Sequence, residues 1–211
     1  YANDYVNSFA YGFGEQNGAV NGESGRYLGL AYRPLNGIKI SLYFDEFSLP
    51  EIGKFTATGS EYIVRYEHTV TKSLSAFVQY KKKSKVQENS LLYANHELER
   101  ILQARHQESL RASMTYSINK WMELSQRIEW TRVGYSVSPT NERGMLMFAE
   151  LTWSFPSPRI FGNARFAIFD THSYDSRLYE FERDVRGGYS FPALYGRGIR
   201  WYVVFGWKVL E

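Results

Sequence analysis

Residue types that can support acid–base chemistry occur together in one segment, Asp170-Thr171-His172, with Asp175 close by. A carboxylate beside a histidine can orient the imidazole as a general base. The same residue types are common in surface loops, and the sequence contains no Gly-x-Ser-x-Gly motif, no His-Glu-x-x-His spacing and no cysteine. We therefore predict no catalytic residues, no metal site and no cofactor, and keep hydrolysis at this segment as the less favoured alternative.

The composition is typical of a membrane environment. Of the 211 residues, 17% are aromatic, with 17 Tyr, 14 Phe and 5 Trp. Tyr and Trp suit a membrane interface because each has an apolar ring and a polar edge. The formal charge of +3 is small and the basic residues are scattered, apart from residues 81–83 and Lys85, so no nucleic-acid partner is indicated. No apolar run approaches the ~18–20 residues of a membrane-spanning helix.

Apolar and polar residues alternate with a period of two along most of the chain. Ile38, Ile40 and Leu42, for example, fall on one face of an extended chain, and the residues between them fall on the other. A helix would mix the two sets, so the pattern predicts strands. The clear strands are residues 37–47, 61–68, 72–83, 105–118, 121–133, 144–155 and the segment from 199 onward; residues 26–34 and 159–169 are less clear, and residues 4–13 are the weakest.

The connections between these ten strands alternate in length. Short turns are predicted at residues 34–37, 69–72, 117–120 and 155–158, and long polar loops at residues 14–25, 46–59, 84–104, 134–143 and 170–197. Short periplasmic turns and long external loops are typical of outer-membrane barrels. We predict an all-β, antiparallel, up-and-down transmembrane β-barrel of about ten strands, with residues 1–211 as a single domain. A soluble β-sandwich or lipocalin-like barrel is the alternative, in which the apolar face would point inward.

In the barrel interpretation the polar face of each strand lines the interior. The charged residues predicted there carry both signs: Arg33, Lys39, Glu61, Arg65, Glu67, Lys81, Arg105, Arg111, Glu123, Arg127, Glu129, Glu150, Arg165 and Arg200. A small barrel has an interior that side chains can fill. Two interpretations follow, an interior closed by a structural salt-bridge network or a narrow channel whose charges select solutes.

The opposite face is predicted to contact lipid through a girdle of aromatic rings. Its members are Tyr62, Tyr66, Tyr80, Tyr116, Trp130, Trp153, Phe155, Trp201, Phe205 and Trp207. The partners implied by this face are the lipid bilayer of a bacterial outer membrane and its lipopolysaccharide.

The last long loop is rich in both apolar and charged residues, which predicts that it folds onto itself or into the mouth of the barrel. A short hairpin is expected around residues 178–183. Carboxylates of this loop, namely Asp170, Asp175, Glu182 and Asp184, could supply the oxygen ligands that Ca²⁺ takes. Ion pairing with Arg177, Arg183 and Arg197 is the commoner arrangement for such residues.

The segment from Asp170 to Arg200, followed by an aromatic terminal strand, resembles the end of the barrel region in large bacterial outer-membrane proteins that carry N-terminal helix-hairpin-helix repeats. The resemblance covers residues 169–210, and no helix-hairpin-helix segment is present in this sequence. It implies a bacterial outer membrane and a chain that is the C-terminal part of a longer polypeptide.

These observations predict an outer-membrane protein that is a channel or transport component, or the membrane anchor of a larger complex. The alternative is a closed structural or binding barrel that presents its extracellular loops, or its periplasmic side, to a protein partner. A hydrolase at the outer rim is the third and least favoured interpretation.

Overall fold

The structure, a computed structural model, describes residues 24–48, 58–92, 98–137, 141–157, 159–183 and 188–208. Nine long strands and four strands of two residues, together with one short 3₁₀ helix, make up the described part of the chain. They are β1 (Ser24–Tyr32), β2 (Ile38–Ser48), β3 (Thr58–Thr71), β4 (Leu74–Leu92), β5 (Leu98–Asn119), β6 (Met122–Tyr135), β7 (Asn141–Ser154), β8 (Ile160–Thr171), the 3₁₀ helix Tyr174–Ser176, β9 (Leu178–Tyr179), β10 (Glu182–Arg183), β11 (Tyr189–Ser190), β12 (Ala193–Leu194) and β13 (Arg197–Trp207).

The nine long strands form one antiparallel up-and-down sheet in the order β1-β2-β3-β4-β5-β6-β7-β8-β13. The prediction of an all-β antiparallel sheet is therefore confirmed, with nine long strands where about ten are predicted. The predicted strand at residues 4–13 lies outside the described residues. Within the described part of the chain, β1 and β13 are the two edges of the sheet, and no pairing between them is found.

Tight turns join the strands at one end of the sheet. At the turn between β1 and β2, Gly37 has a φ of 82°, and the N–H of Ile38 donates to the carbonyl of Leu35 at 3.1 Å. A positive φ is easily adopted only by a residue without a Cβ, which explains the Asn36-Gly37 sequence. The turns that follow β3, β5 and β7 lie at the same end, so the longer connections all lie at the opposite end.

The third predicted loop, residues 84–104, is largely strand, and this part of the prediction is wrong. Strands β4 and β5 pair without interruption from Leu74↔Tyr116 to Leu92↔Leu98. The pairing of β4 with β3 extends only to Lys85, and the pairing of β5 with β6 extends only to Arg105. The last seven residue pairs therefore form a two-stranded ribbon beyond the sheet. Neither face of a two-stranded ribbon has to be apolar, so apolar and polar residues no longer alternate there. The sequence of this segment therefore resembles that of a polar loop.

The register separates the sheet into an apolar face and a polar face. Val78, Ala112, Ile128, Met147 and Ile168 are successive partners across five strands of the apolar face. Large hydrophobic side chains on this face are exposed, for example 46% for Val78 and 47% for Ile128. A soluble protein rarely leaves so wide an apolar face uncovered, which argues against the soluble alternative.

Charged side chains on the apolar face lie only near the end that carries the long connections. They are Arg26 on β1, Glu46 on β2, Lys82 on β4, Glu108 on β5, Arg132 on β6, Arg143 on β7, Asp170 on β8 and Arg197 on β13. Below them the face has no Asp, Glu, Lys or Arg within these strands. On β13 this uncharged stretch runs from Ile199 to Trp207, roughly 27 Å at about 3.4 Å per residue. Its length suits the apolar band of an outer-membrane strand, which is about 25 Å tall.

No helix in the described residues has the length and hydrophobicity needed to cross a membrane.

Candidate functional site

The polar face brings together almost all of the charged residues that the sequence predicts to share a surface. One row of partners across the sheet runs through Lys39, Glu67, Phe77, Ser113, Arg127, Phe148, Ala167 and Arg200. The same face carries Glu61, Arg65, Lys81, Arg105, Arg111, Glu123, Glu129, Glu150 and Arg165. Arg33 follows β1, lies outside the strands and is exposed.

Most charges on this face form ion pairs between neighbouring strands. The carboxylate of Glu61 on β3 forms ion pairs with Lys81 Nζ at 2.9 Å and with Lys83 Nζ at 3.3 Å, both on β4. Arg111 on β5 makes a two-pronged contact with Glu129 on β6, at 2.7 and 2.9 Å. Paired geometry of this kind offsets the cost of removing charges from water.

The ion pairs of Glu67, on β2 and β3, are more exposed to solvent. Glu67 accepts from Lys39 Nζ and from Arg65 Nη2, each at 2.9 Å, and its side chain is 30% exposed. Water can screen this group, so it contributes little to stability.

The most enclosed charges lie near the last strand. Glu150 on β7 pairs with Arg165 on β8 at 2.7 Å, and their side chains are only 5% and 8% exposed. The hydroxyl of Tyr202 on β13 donates to the same carboxylate at 2.7 Å. These donors all reach Oε2 of Glu150, and the other carboxylate oxygen lies 3.6 Å from Arg183 Nε.

The connection between β8 and β13 folds back over the polar face as a hairpin. Leu178–Tyr179 pairs with Ala193–Leu194, and Glu182–Arg183 pairs with Tyr189–Ser190. Residues 178–183, where a short hairpin is expected, form only one arm of a longer hairpin, because the second arm comes from residues 189–194. We call residues 172–183 and 188–196 the inward loop.

Carboxylates of the inward loop pin it to arginines of the sheet. Glu180 lies 2.9 Å from Arg127 Nη1 and 3.5 Å from Arg165 Nη1. Arg165 also donates to the carbonyl of Phe181 at 2.9 Å. Glu182 accepts two hydrogen bonds from Arg200, one of them at 2.6 Å.

Glu180 is almost completely buried in this contact, with 2% exposure. Desolvation raises the pKa of its carboxyl above the ordinary value, and the guanidinium of Arg127 opposes that shift. The loop is thus held in part by a carboxylate that is removed from water.

A small apolar cluster completes the contact between the inward loop and the sheet. Leu178 and Leu194 of the loop pack with Leu146, Phe148 and Ala167 of β7 and β8, and all five are buried. Leu146 and Phe148 lie on the same face as Glu150, where alternation alone would favour polar residues. They are apolar because the loop covers them.

A cavity of about 570 Å³ remains between the inward loop and strands β4–β6. Its wall is mainly charged on the sheet side and includes two aromatic rings on the loop side. The lining residues are Gln79, Lys81, Lys83, Lys85, Arg105, Gln107, Ser109, Arg111, Glu129, Asp175, Arg177, Leu178, Tyr179 and Phe191. The polar face is therefore filled near β7–β8 and open near β4–β6.

The residues singled out for acid–base chemistry are engaged with other partners. Asp170 forms an ion pair with Arg197 at 2.8 Å, and the carboxylate of Asp175 accepts from the hydroxyl of Tyr135 at 2.7 Å. His172 is exposed. Both carboxylates are thus held away from the role of orienting the imidazole.

The carboxylates considered as Ca²⁺ ligands are likewise spread over separate arginine and tyrosine partners, as described above for Asp170, Asp175 and Glu182. Asp184 lies outside the described residues. Within residues 24–48, 58–92, 98–137, 141–157, 159–183 and 188–208, no group of three acidic or histidine side chains has the geometry to hold a metal ion.

Of the aromatic residues assigned to the lipid girdle, nine lie on the apolar face: Tyr62, Tyr66, Tyr80, Tyr116, Trp130, Trp153, Trp201, Phe205 and Trp207. Phe155 comes one residue after β7, where its ring packs on Trp121 at a centroid distance of 6.4 Å.

Solved structures of bacterial outer-membrane proteins share this architecture. OmpT, an outer membrane protein of Vibrio cholerae, in its trimer form superposes with a TM-score of 0.61 over 92% of this chain and 57% of that chain, at 14% identity. A second structure, of the outer-membrane expressed protein, gives a TM-score of 0.59 over 87% of this chain and 55% of that chain, at 11% identity. The chain has the fold of a bacterial outer-membrane protein. It spans little more than half the length of these structures.

Comparison of sequences gives no match to a family model or to a curated protein. The similarity to these proteins is therefore one of fold and not of sequence.

Sequence reasoning missed the partners that the inward loop supplies. Glu180 was not singled out, although it joins Arg127 and Arg165, and Leu178 and Leu194 were not recognised as members of a core. The available signal was the combination of Leu146 and Phe148 on an otherwise polar face with leucines in a long loop.

Proposed function

We propose that this protein is an outer-membrane β-barrel that conducts small solutes past its inward loop. The observation that carries the proposal is the geometry of that loop. It is held against the polar face by Glu180 and Glu182, yet it leaves a charged cavity beside β4–β6. A loop of this kind narrows an interior without filling it, and the charges lining a narrow passage select solutes.

Closure of the sheet into a barrel forms part of the proposal. The sheet edges β1 and β13 carry backbone groups that must be paired within lipid, because unsatisfied N–H and C=O groups are costly there. Single-chain bacterial barrels normally have an even number of strands. The predicted strand at residues 4–13 would raise the count from nine to ten and make residues 1–211 a single barrel domain.

The location in a bacterial outer membrane, with lipid and lipopolysaccharide as partners, is supported by the apolar face. Uncharged side chains cover its middle, and charged side chains such as Lys82, Arg132 and Arg143 lie only at the loop end, where headgroups would meet them. The resemblance of residues 169–210 to barrels of helix-hairpin-helix-containing proteins agrees with this location and stays a prediction.

A closed barrel that anchors a protein partner is the second candidate. The enclosed ion pairs around Glu150 and Arg165 favour it, because they fill the interior near β7–β8. The cavity of about 570 Å³ beside them favours conduction.

Conductance across a planar lipid bilayer tests the proposal. The purified full-length protein is expected to give stepwise current increases as single molecules insert, and heat-denatured protein is the control. Repeated insertion, verified by protease protection in liposomes, without any current step would overturn the channel and favour the anchor.

A further inference from the structure

The cavity beneath the inward loop has a strongly cationic wall. Six basic and two acidic side chains line it. One of the acidic residues, Glu129, already forms a two-pronged contact with Arg111. Glu61, next to the wall, also pairs with Lys81 and Lys83. Six cations against Glu129, Asp175 and Glu61 leave an excess of positive charge among these residues, and low-dielectric walls strengthen its field.

Two arginines at this wall are positioned by hydrogen bonds to neutral acceptors. Arg105 donates to Gln107 Oε1 at 2.8 Å and to the carbonyl of Asp175 at 3.0 Å. Arg177 donates to the hydroxyl of Tyr179 at 2.6 Å and to the carbonyl of Tyr174 at 2.8 Å. Such contacts fix the position of a guanidinium and keep its positive field available to a third group.

The loop side of the cavity offers an aromatic surface. The rings of Tyr179 and Phe191 stack with centroids 5.5 Å apart and an angle of 8° between their planes. Phe191 is 59% exposed, which leaves ring surface available to a ligand. Flat aromatic or other ring-bearing molecules stack favourably on such a surface.

We propose that this cavity binds a small organic anion that carries a carboxylate or phosphate group and an aromatic ring. The acidic group would lie toward Lys83 and Arg105, and the ring would lie against Phe191. The volume of about 570 Å³ falls within the usual range of small-molecule sites, which is about 300–1,000 Å³. The inference rests on the proposed function, in which this cavity lies on the solute pathway.

The charge and the ring make separate contributions, so two matched ligand pairs can separate them. Benzoate and benzamide have nearly the same shape and differ in charge. Benzoate and acetate share the carboxylate and differ in the ring. Benzoate is expected to bind more tightly than either partner.

Isothermal titration of the full-length protein in detergent measures these affinities without requiring conduction. Lys83→Gln/Arg105→Gln is expected to weaken benzoate binding about tenfold, as loss of two nearby charges would. The variant keeps Lys81 on Glu61, so that carboxylate is not left alone. Arg33→Gln/Lys39→Gln removes the same two charges outside the cavity and is expected to leave the affinity unchanged.

Phe191→Ala tests the aromatic surface. It is expected to weaken benzoate and to leave acetate unaffected, because acetate has no ring to lose a contact. Equal binding of benzoate and benzamide, or equal effects of the cavity variant and its control, would overturn the inference.

The outcomes also separate this inference from the proposed function. Benzoate binding without any bilayer current would support the site and remove the channel. Current steps without benzoate binding would support the channel and remove the site.

Discussion

Arg165 and Glu150 form an ion pair across β8 and β7 in which Nε and Nη2 of the guanidinium both lie within 2.9 Å of the same carboxylate oxygen. The two residues are also direct partners in the strand register. The hydroxyl of Tyr202, the register partner of Arg165 on β13, donates to that oxygen as well. Three successive strands are thus joined by one carboxylate that is shielded from water.

Glu150→Gln is expected to lower the free energy of unfolding by about 3 kcal/mol, because the buried Arg165 would lose its nearest carboxylate and keep only the longer contact with Glu180. Urea denaturation in detergent or lipid, followed by Trp fluorescence, measures the change. Glu67→Gln is the matched control, since the side chains of Glu67, Lys39 and Arg65 are about one third exposed. It should cost no more than about 1 kcal/mol. Equal costs at both positions would contradict the enclosed geometry.

Glu180→Gln/Glu182→Gln is expected to release the inward loop from Arg127 and Arg200. Loss of two charge-assisted contacts should weaken docking by about 3 kcal/mol. A released loop would no longer narrow the passage, so the single-channel conductance should rise. Asp170→Asn is the control, because its ion pair with Arg197 is exposed. An unchanged conductance in the double variant would show that the loop does not restrict the pathway.

Gly144→Ala is expected to displace the short helix Tyr174–Ser176. An added methyl group at residue 144 would collide with the carbonyl oxygen of Ser176, a backbone atom that cannot rotate away. Trypsin should then cleave after Arg177 faster than in the unaltered protein. Met145→Ala changes the next residue, whose side chain lies on the opposite face, and serves as the control. Identical cleavage rates in the two variants would argue against close packing of the loop on β7.

The strands and their two faces follow from the sequence because alternation is a local property. Ile40 and Lys39 occupy opposite faces whatever the rest of the chain does, and the predicted aromatic and charged sets accordingly separate onto opposite faces of the sheet. The strand ends are less predictable. Residues 86–92 and 98–104 continue to pair with each other although the alternation has ended.

The candidate site depended on contacts that no local pattern encodes. Leu178 and Glu180 lie in a connection that is polar on average, and their partners Phe148 and Arg127 lie on different strands. Only the path of the loop shows that Phe148 is covered and that Arg127 has a buried partner. For the same reason the wall formed by Lys83, Arg105 and Phe191 is visible only in the structure.

In the proposed barrel the polar face lines a water-filled interior and the apolar face contacts lipid. Val78 and Gln79 are adjacent on β4 and lie on opposite faces, and the sequence contains no cysteine that would interfere with labelling. Val78→Cys and Gln79→Cys would be reconstituted in liposomes and exposed to a charged, water-soluble thiol reagent. We predict that the Gln79→Cys variant is labelled rapidly and the Val78→Cys variant hardly at all. Faster labelling at residue 78 than at residue 79 would contradict the orientation and the function proposed from it.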